Sequence, residues 1–114
     1  MKQIKIKHKN KIIKADYAVK FFDKAKGLMF AMPRKDKGLL IECSDETRMG
    51  SAIHMLFVFF PLDVLWLNSR KEIVDIRRVF SFMPFAIPKK PAKYVLELPK
   101  GYKSRFKIND KLKF

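Results

Sequence analysis

Apolar and polar positions alternate strictly at the start of the chain. Ile4 and Ile6 fall on one face of residues 2–7 while Lys5 and Lys7 fall on the other, which predicts a half-buried strand. Residues 8–11 read as a turn and residues 12–20 as a returning strand, so the chain opens on a hairpin. His8 shares the parity of Ile4 and Ile6 and reads as a half-buried histidine at the strand end, since no second motif surrounds it. Residues 21–27 fit one short helix, with Phe21, Ala25 and Leu28 on a face and Gly27 free to adopt the left-handed cap. After a charged loop at 34–37, residues 38–43 form a buried strand and residues 44–50 a polar loop. Residues 51–60 and 62–67 are apolar on both faces, as central strands are, with Pro61 between them. A hairpin turn at 68–71 leads into a strand at 72–79. Residues 93–98 form a further strand, 101–109 a turn or short helix, and 111–114 a last short strand. Many short strands with one small helix predict an all-β domain over residues 1–114, a small barrel or a jelly-roll-like sandwich.

The segment 80–92 breaks this pattern. It carries Phe80, Phe82, Met83, Phe85 and Ile87 together with Pro84, Pro88 and Pro91. The prolines forbid a central strand, yet the apolar content exceeds that of a solvated loop. Two readings follow: a lid folded back over the core, or an exposed lip that recognises a partner.

Composition narrows the class. The 114 residues hold 26 Lys+Arg against 11 Asp+Glu, a net charge of +15, with 48% apolar residues and 11 Phe. That apolar content excludes intrinsic disorder despite the charge. One cysteine, Cys43, excludes a disulfide scaffold and a zinc site built on paired cysteines. Residues 1–37 carry 12 basic and 3 acidic side chains, a net of +9; residues 38–69 carry 1 against 4, a net of −3; residues 70–114 carry 13 against 4, again +9. The charge therefore clothes a central apolar segment and forms no tail. It is carried by 20 Lys and 6 Arg. Lysine supplies point charges, whereas bidentate recognition of phosphate or guanine favours arginine, so any nucleic-acid contact is expected to be non-specific. No secretory signal is visible, and the longest apolar stretch, 52–67, is interrupted by His54, Pro61 and Asp63. A cytoplasmic monomer without membrane insertion, cofactor or metal is expected.

The polar residues of the apolar centre are the informative ones, because burial is costly unless they are paired. They are Cys43, His54, Asp63 and Glu97, with Tyr94 close by in sequence. Should their strands be neighbours, His54, Asp63 and Glu97 could meet in one pocket as a general acid–base set. The plainer alternative makes Asp63 a turn cap, His54 a satisfied core or rim residue, and Glu97 a partner of a surface lysine. Nucleophilic catalysis has little support: no Gly-x-Ser-x-Gly turn exists and Cys43 ends a buried strand. Four glycines form no phosphate-cradling motif. For nucleic acid, aromatics interleaved with cations mark a stacking platform; Tyr102 within residues 100–105 and the Phe80–Phe85 loop come nearest, and neither matches a single-strand-binding motif.

The order Gly27-Leu28-Met29, Gly38-Leu39-Leu40, His54-Met55 with Phe57, Pro61-Leu62-Asp63-Val64, Tyr94-Val95-Leu96-Glu97-Leu98, Gly101 and Asn109-Asp110 resembles the "domain of unknown function" family numbered 192. The resemblance covers about residues 15–114. It implies a compact β-barrel or jelly-roll-like sandwich with a short helix near the start, and no established activity. The family's signature positions fall on Gly27, Met29, His54, Pro61, Asp63, Glu97 and Asp110. A basic or polar residue often stands two before the proline; here that position is Phe59.

Three functions remain open on this reading. The first is a non-enzymatic module binding a small ligand or a protein segment near His54, Asp63 and Glu97, with Phe82, Met83, Phe85 and Tyr94 as contact residues. The second is a hydrolase or isomerase using His54 with Asp63 or Glu97. The third is a lysine-driven nucleic-acid-binding accessory protein.

Overall fold

Alternation at the N-terminus does produce a hairpin, because the two strands can bury Ile6 and Ile13 together only in one register. Strand β1 spans Lys2–His8 and β2 Lys11–Val19, with Ile6 opposite Ile13. Lys9 at the turn takes φ 55°, in the left-handed region. The computed structural model describes residues 2–19, 37–53, 60–82 and 85–114. Its other strands are β3 (Lys37–Thr47), β4 (Leu62–Leu67), β5 (Ile73–Val79) and β6 (Ala92–Pro99).

All six strands join one sheet in the order β1-β2-β3-β6-β4-β5. Pairing is antiparallel except between β2 and β3, which run parallel. The last strand in sequence therefore lies in the middle, between β3 and β4. Close approach there depends on Gly38: a Cβ at that position would stand 2.8 Å from Leu98 Cδ2 and 3.0 Å from the Glu97 carbonyl oxygen.

The expected mainly-β class is what forms, but the barrel is not. Among the described residues, β1 and β5 remain the two edges of one open sheet. The C-terminal segment runs between those edges instead. It pairs Lys113 with Lys7 and Lys111 with Glu72 through isolated bridges, and lays Phe106 and Leu112 on the sheet. Asn109, just before these bridged residues, takes φ 78°, in the left-handed region. The expected helix at 21–27 lies outside the described residues. Among the described residues the helical pieces are single 3-10 turns at Met49–Ser51 and Lys103–Arg105, the second within the 101–109 stretch read as a turn or short helix.

The sheet buries both faces. One face carries Leu39, Ile41, Cys43, Val64, Trp66 and Val95, with Ile53, Phe60 and Ala86 packed on it. The opposite face carries Ile6, Ala15, Leu40, Leu65, Leu96 and Leu98, under Phe106 and Leu112. Two-sided burial explains why 62–67 is apolar at every position but Asp63.

Candidate functional site

Register decides which polar residues can meet, since residues directly opposite on neighbouring strands share a face and sequence neighbours do not. Asp63 stands opposite Leu98 and Arg78, on the face covered by the C-terminal segment. Glu97 stands opposite Leu39 and Val64, on the other face. The two carboxylates are thus separated by the sheet and do not form one pocket. His54, Met83 and the signature residues Gly27 and Met29 lie outside the described residues.

Asp63 is a clamp. Its side chain is fully buried; Arg78 donates from Nε to Oδ1 at 2.7 Å and from Nη2 to Oδ2 at 3.2 Å. The backbone N–H groups of Gly101 and Lys103 each donate to Oδ2 at 2.8 Å. Burial pushes the Asp63 carboxyl up, but the Arg78 hydrogen bond, the two backbone donors and the guanidinium charge outweigh it and hold the pKa below its usual value. Four donors meet the roughly four acceptor sites of a carboxylate. Asp63 therefore caps the turn at Lys103–Arg105 and ties β4 to β5, which is the turn-capping role considered from sequence.

Glu97 sits in a different setting. Across the sheet, Asp16, Leu39, Glu97, Val64 and Arg77 form one row on one face. Asp16 and Glu97 are both buried, and Lys37 Nζ lies 2.8 Å from Asp16 Oδ1. Sequence reasoning passed over Asp16 and Lys37, because an acid among many lysines looks solvated. The available signal was parity: Asp16 and Ala18 share a face, and an acid two residues from a buried alanine is not a surface residue.

Residues 80–82 and 85–92 adjoin this same face, with Ala86 in its core. The base of this segment is pinned: Ile53 and Ala86 exchange two backbone hydrogen bonds of 3.0 and 2.8 Å. Arg77 donates to the Ile87 carbonyl, Arg48 Nε donates to the Pro88 carbonyl at 2.9 Å, and Asp75 accepts from the Lys89 N–H at 2.9 Å. Trp66 supports that network from below, donating its indole N–H to the Ser51 carbonyl at 2.8 Å while Arg77 lies over its ring. Above the base, Phe80, Phe82 and Phe85 are 59%, 55% and 66% exposed. Phe82 has φ 65°, an unusual conformation for a bulky residue. Tyr94 is placed elsewhere. It lies on the opposite face, edge-on to Phe114 at 5.1 Å, and its hydroxyl pKa is raised by burial and then by the charge of Glu42.

On Tyr94's face, as its parity implied, His8 is buried rather than half-buried, with Nε2 2.9 Å from Asp110 Oδ2 and its ring 4.6 Å from that of Phe106. Beside it a cleft of about 580 Å³ opens between the β1–β2 turn and the residues around Tyr102. No group of three His, Cys, Asp or Glu side chains assembles among the described residues. Among them, too, no helix is long and apolar enough to cross a membrane.

Comparison with known proteins gives one family. The profile of DUF192, described as an uncharacterized ACR, matches residues 2–114. The UPF0127 protein of Pyrococcus furiosus is 40% identical over 89 residues, covering 78% of this chain and 74% of that protein. A UPF0127 protein of Thermococcus sibiricus is 38% identical over 81 residues, covering 71% of this chain; the chain spans about half of that relative's length, 51%. Among solved structures, a protein of unknown function from Novosphingobium aromaticivorans superimposes with a TM-score of 0.86 at 18% identity, over 98% of this chain and 85% of its own. A candidate transcription regulator from Sinorhizobium meliloti gives 0.83 at 22% identity, over 97% and 91%. At these identities the two structures show the fold alone.

Proposed function

The chain belongs to the DUF192 family, and for this member we propose a non-enzymatic binding module whose lip of Phe80, Phe82 and Phe85 captures an apolar segment of a protein partner. The observation that carries this reading is the exposure of three phenyl rings on a loop whose base is fixed by backbone and arginine hydrogen bonds. A collapsed lid would bury those rings. A solvated loop would not carry them, because exposed aromatic clusters are characteristic of recognition surfaces. Rings more than half exposed offer a surface and no enclosure, which suits a protein segment better than a small ligand. Holding Phe82 in the left-handed region costs on the order of 1–3 kcal/mol, a cost met most often at functional sites. Met83 and His54 complete the reading from sequence, adjoining Phe82 and Ile53. Glu97 belongs to it through its face; Asp63 and Tyr94 do not, since both serve the opposite face. We take the protein to act as one cytoplasmic, monomeric domain over residues 1–114.

Panning a displayed-peptide library against the purified protein tests this. Apolar peptides selected by the native chain are expected to lose at least tenfold in affinity for Phe82→Ser and Phe85→Ser, with thermal unfolding unchanged. If no peptide is enriched, or if the variants bind equally, the lip is not a recognition surface.

A further inference from the structure

The cleft beside His8 has a lining that the lip's role does not explain. Its walls come from the β1–β2 turn and from residues 102–106, and its volume is about 580 Å³. That size lies within the range of small-molecule sites. Among the described residues that line it, Lys9, Lys11 and Arg105 supply three cations and none is acidic; Lys14 alternates with Ile13 and belongs to the other face of β2. Asp110, which His8 touches, is already taken up by His8 Nε2 at 2.9 Å and by the Lys107 N–H at 3.0 Å. Two aromatic rings complete the lining: Phe106, buried, and Tyr102, half-buried with the Arg105 guanidinium 4.5 Å from its centroid.

A purely anionic ligand would make no use of Tyr102 and Phe106. A purely apolar one would leave three cations unmatched. A ligand with both a phosphate and a flat base uses every part: stacking on the aromatic side chains, and charge on the lysines and the arginine fork.

We infer that this cleft, enclosed by the β1–β2 turn, Tyr102, Arg105 and Phe106, binds a nucleotide, with the base against the Tyr102 ring and the phosphate among Lys9, Lys11 and Arg105. Free mononucleotides and the end of a single-stranded RNA share that chemistry. The site lies on the face of Ile13 and Phe106, opposite the Ala86 face, so it stands or falls independently of the lip.

Titration of the ¹⁵N-labelled full chain with adenosine monophosphate, adenosine, inorganic phosphate and a single-stranded RNA hexamer, all at one salt concentration, decides the matter. Saturable shifts confined to residues 8–14 and 102–106 are expected with the monophosphate or the hexamer, and the tighter of the two identifies the source. Arg105→Ala and Tyr102→Ala should each weaken binding about tenfold while Tyr102→Phe retains it, because the ring and not the hydroxyl does the stacking. Lys89→Ala with Lys90→Ala, at the base of the lip, should change nothing. The inference is overturned if no saturable shift appears, if shifts spread over lysines generally, or if the Lys89 and Lys90 changes weaken binding as much. It is equally overturned if inorganic phosphate or adenosine binds as tightly as the monophosphate.

Discussion

A buried carboxylate with four donors has only one comfortable ionisation state. Because the folded Asp63 has a pKa below its ordinary 3.8, the native protein binds that proton more weakly than the unfolded chain does. The stabilisation is therefore complete above about pH 4 and is lost as pH falls through and below 3.8. Asp110 adds a loss in the same direction: burial raises its carboxyl, but the His8 and Lys107 hydrogen bonds and the charges of His8 and Lys9 leave it lowered. Denaturant unfolding from pH 6 to pH 2 should show this acid limb, and Asp63→Asn should flatten it. At neutral pH, Asp63→Ala strands the Arg78 guanidinium and two backbone N–H groups, with an expected loss of about 2–4 kcal/mol. A loss below about 0.5 kcal/mol would mean water replaces the carboxylate and the clamp is dispensable. Asp63 was visible in the sequence as an odd polar residue in an apolar strand. Its donors were not, because Gly101 and Lys103 lie about 40 positions away and only the fold brings them near.

Strands that depend on local pattern were legible. The hairpin read at 2–7 and 12–20 is Lys2–His8 and Lys11–Val19, and the strand read at 93–98 is Ala92–Pro99. β3 was underestimated. Residues 44–47 look like a polar loop, yet the strand runs to Thr47, past an irregularity that lets its polar end stay exposed while pairing with Ala92. The faces of Asp63 and Glu97 could not be compared from sequence, because parity is defined only within a strand until register links β4 to β6. Where β3 meets β6 the fit is close enough to measure. Gly38→Ala places a methyl group 3.0 Å from the Glu97 carbonyl oxygen and 2.8 Å from Leu98, and should destabilise by about 1–3 kcal/mol. For a domain of this length that lowers Tm by roughly 4–12 °C, readable by circular dichroism. An unchanged Tm would show that β3 and β6 can separate slightly at no cost.

At the scale of the whole molecule, a net charge of +15 on 114 residues opposes compaction. Salt bridges at Asp16, Glu42, Asp63 and Asp75 relieve part of it locally. Most of the described lysines stand in no ion pair and meet other charges only at longer range, where screening is effective. Raising sodium chloride from 10 mM to 200 mM should therefore raise Tm, and acetylating the lysines should reduce that salt response. A Tm that falls with salt would mean the local ion pairs dominate the general repulsion. The lysine excess that the sequence divides into two blocks around an apolar centre includes Lys9 and Lys11 at one cleft, a placement that composition cannot give.

The order of the strands has a consequence for how the chain reaches its native state. β3 and β4 share no ladder; each is completed only by β6, which follows them by tens of residues. Until that strand arrives, an emerging chain holds the hairpin pair β4–β5 and the group β1–β2–β3 as two fragments with unsatisfied edges. Formation of the central ladder is then the late, cooperative step, and its contacts are long-range, which favours slow folding. During synthesis the apolar edges of β3 and β4 are open to other chains, so the interval before residue 99 leaves the ribosome is the period of greatest aggregation risk.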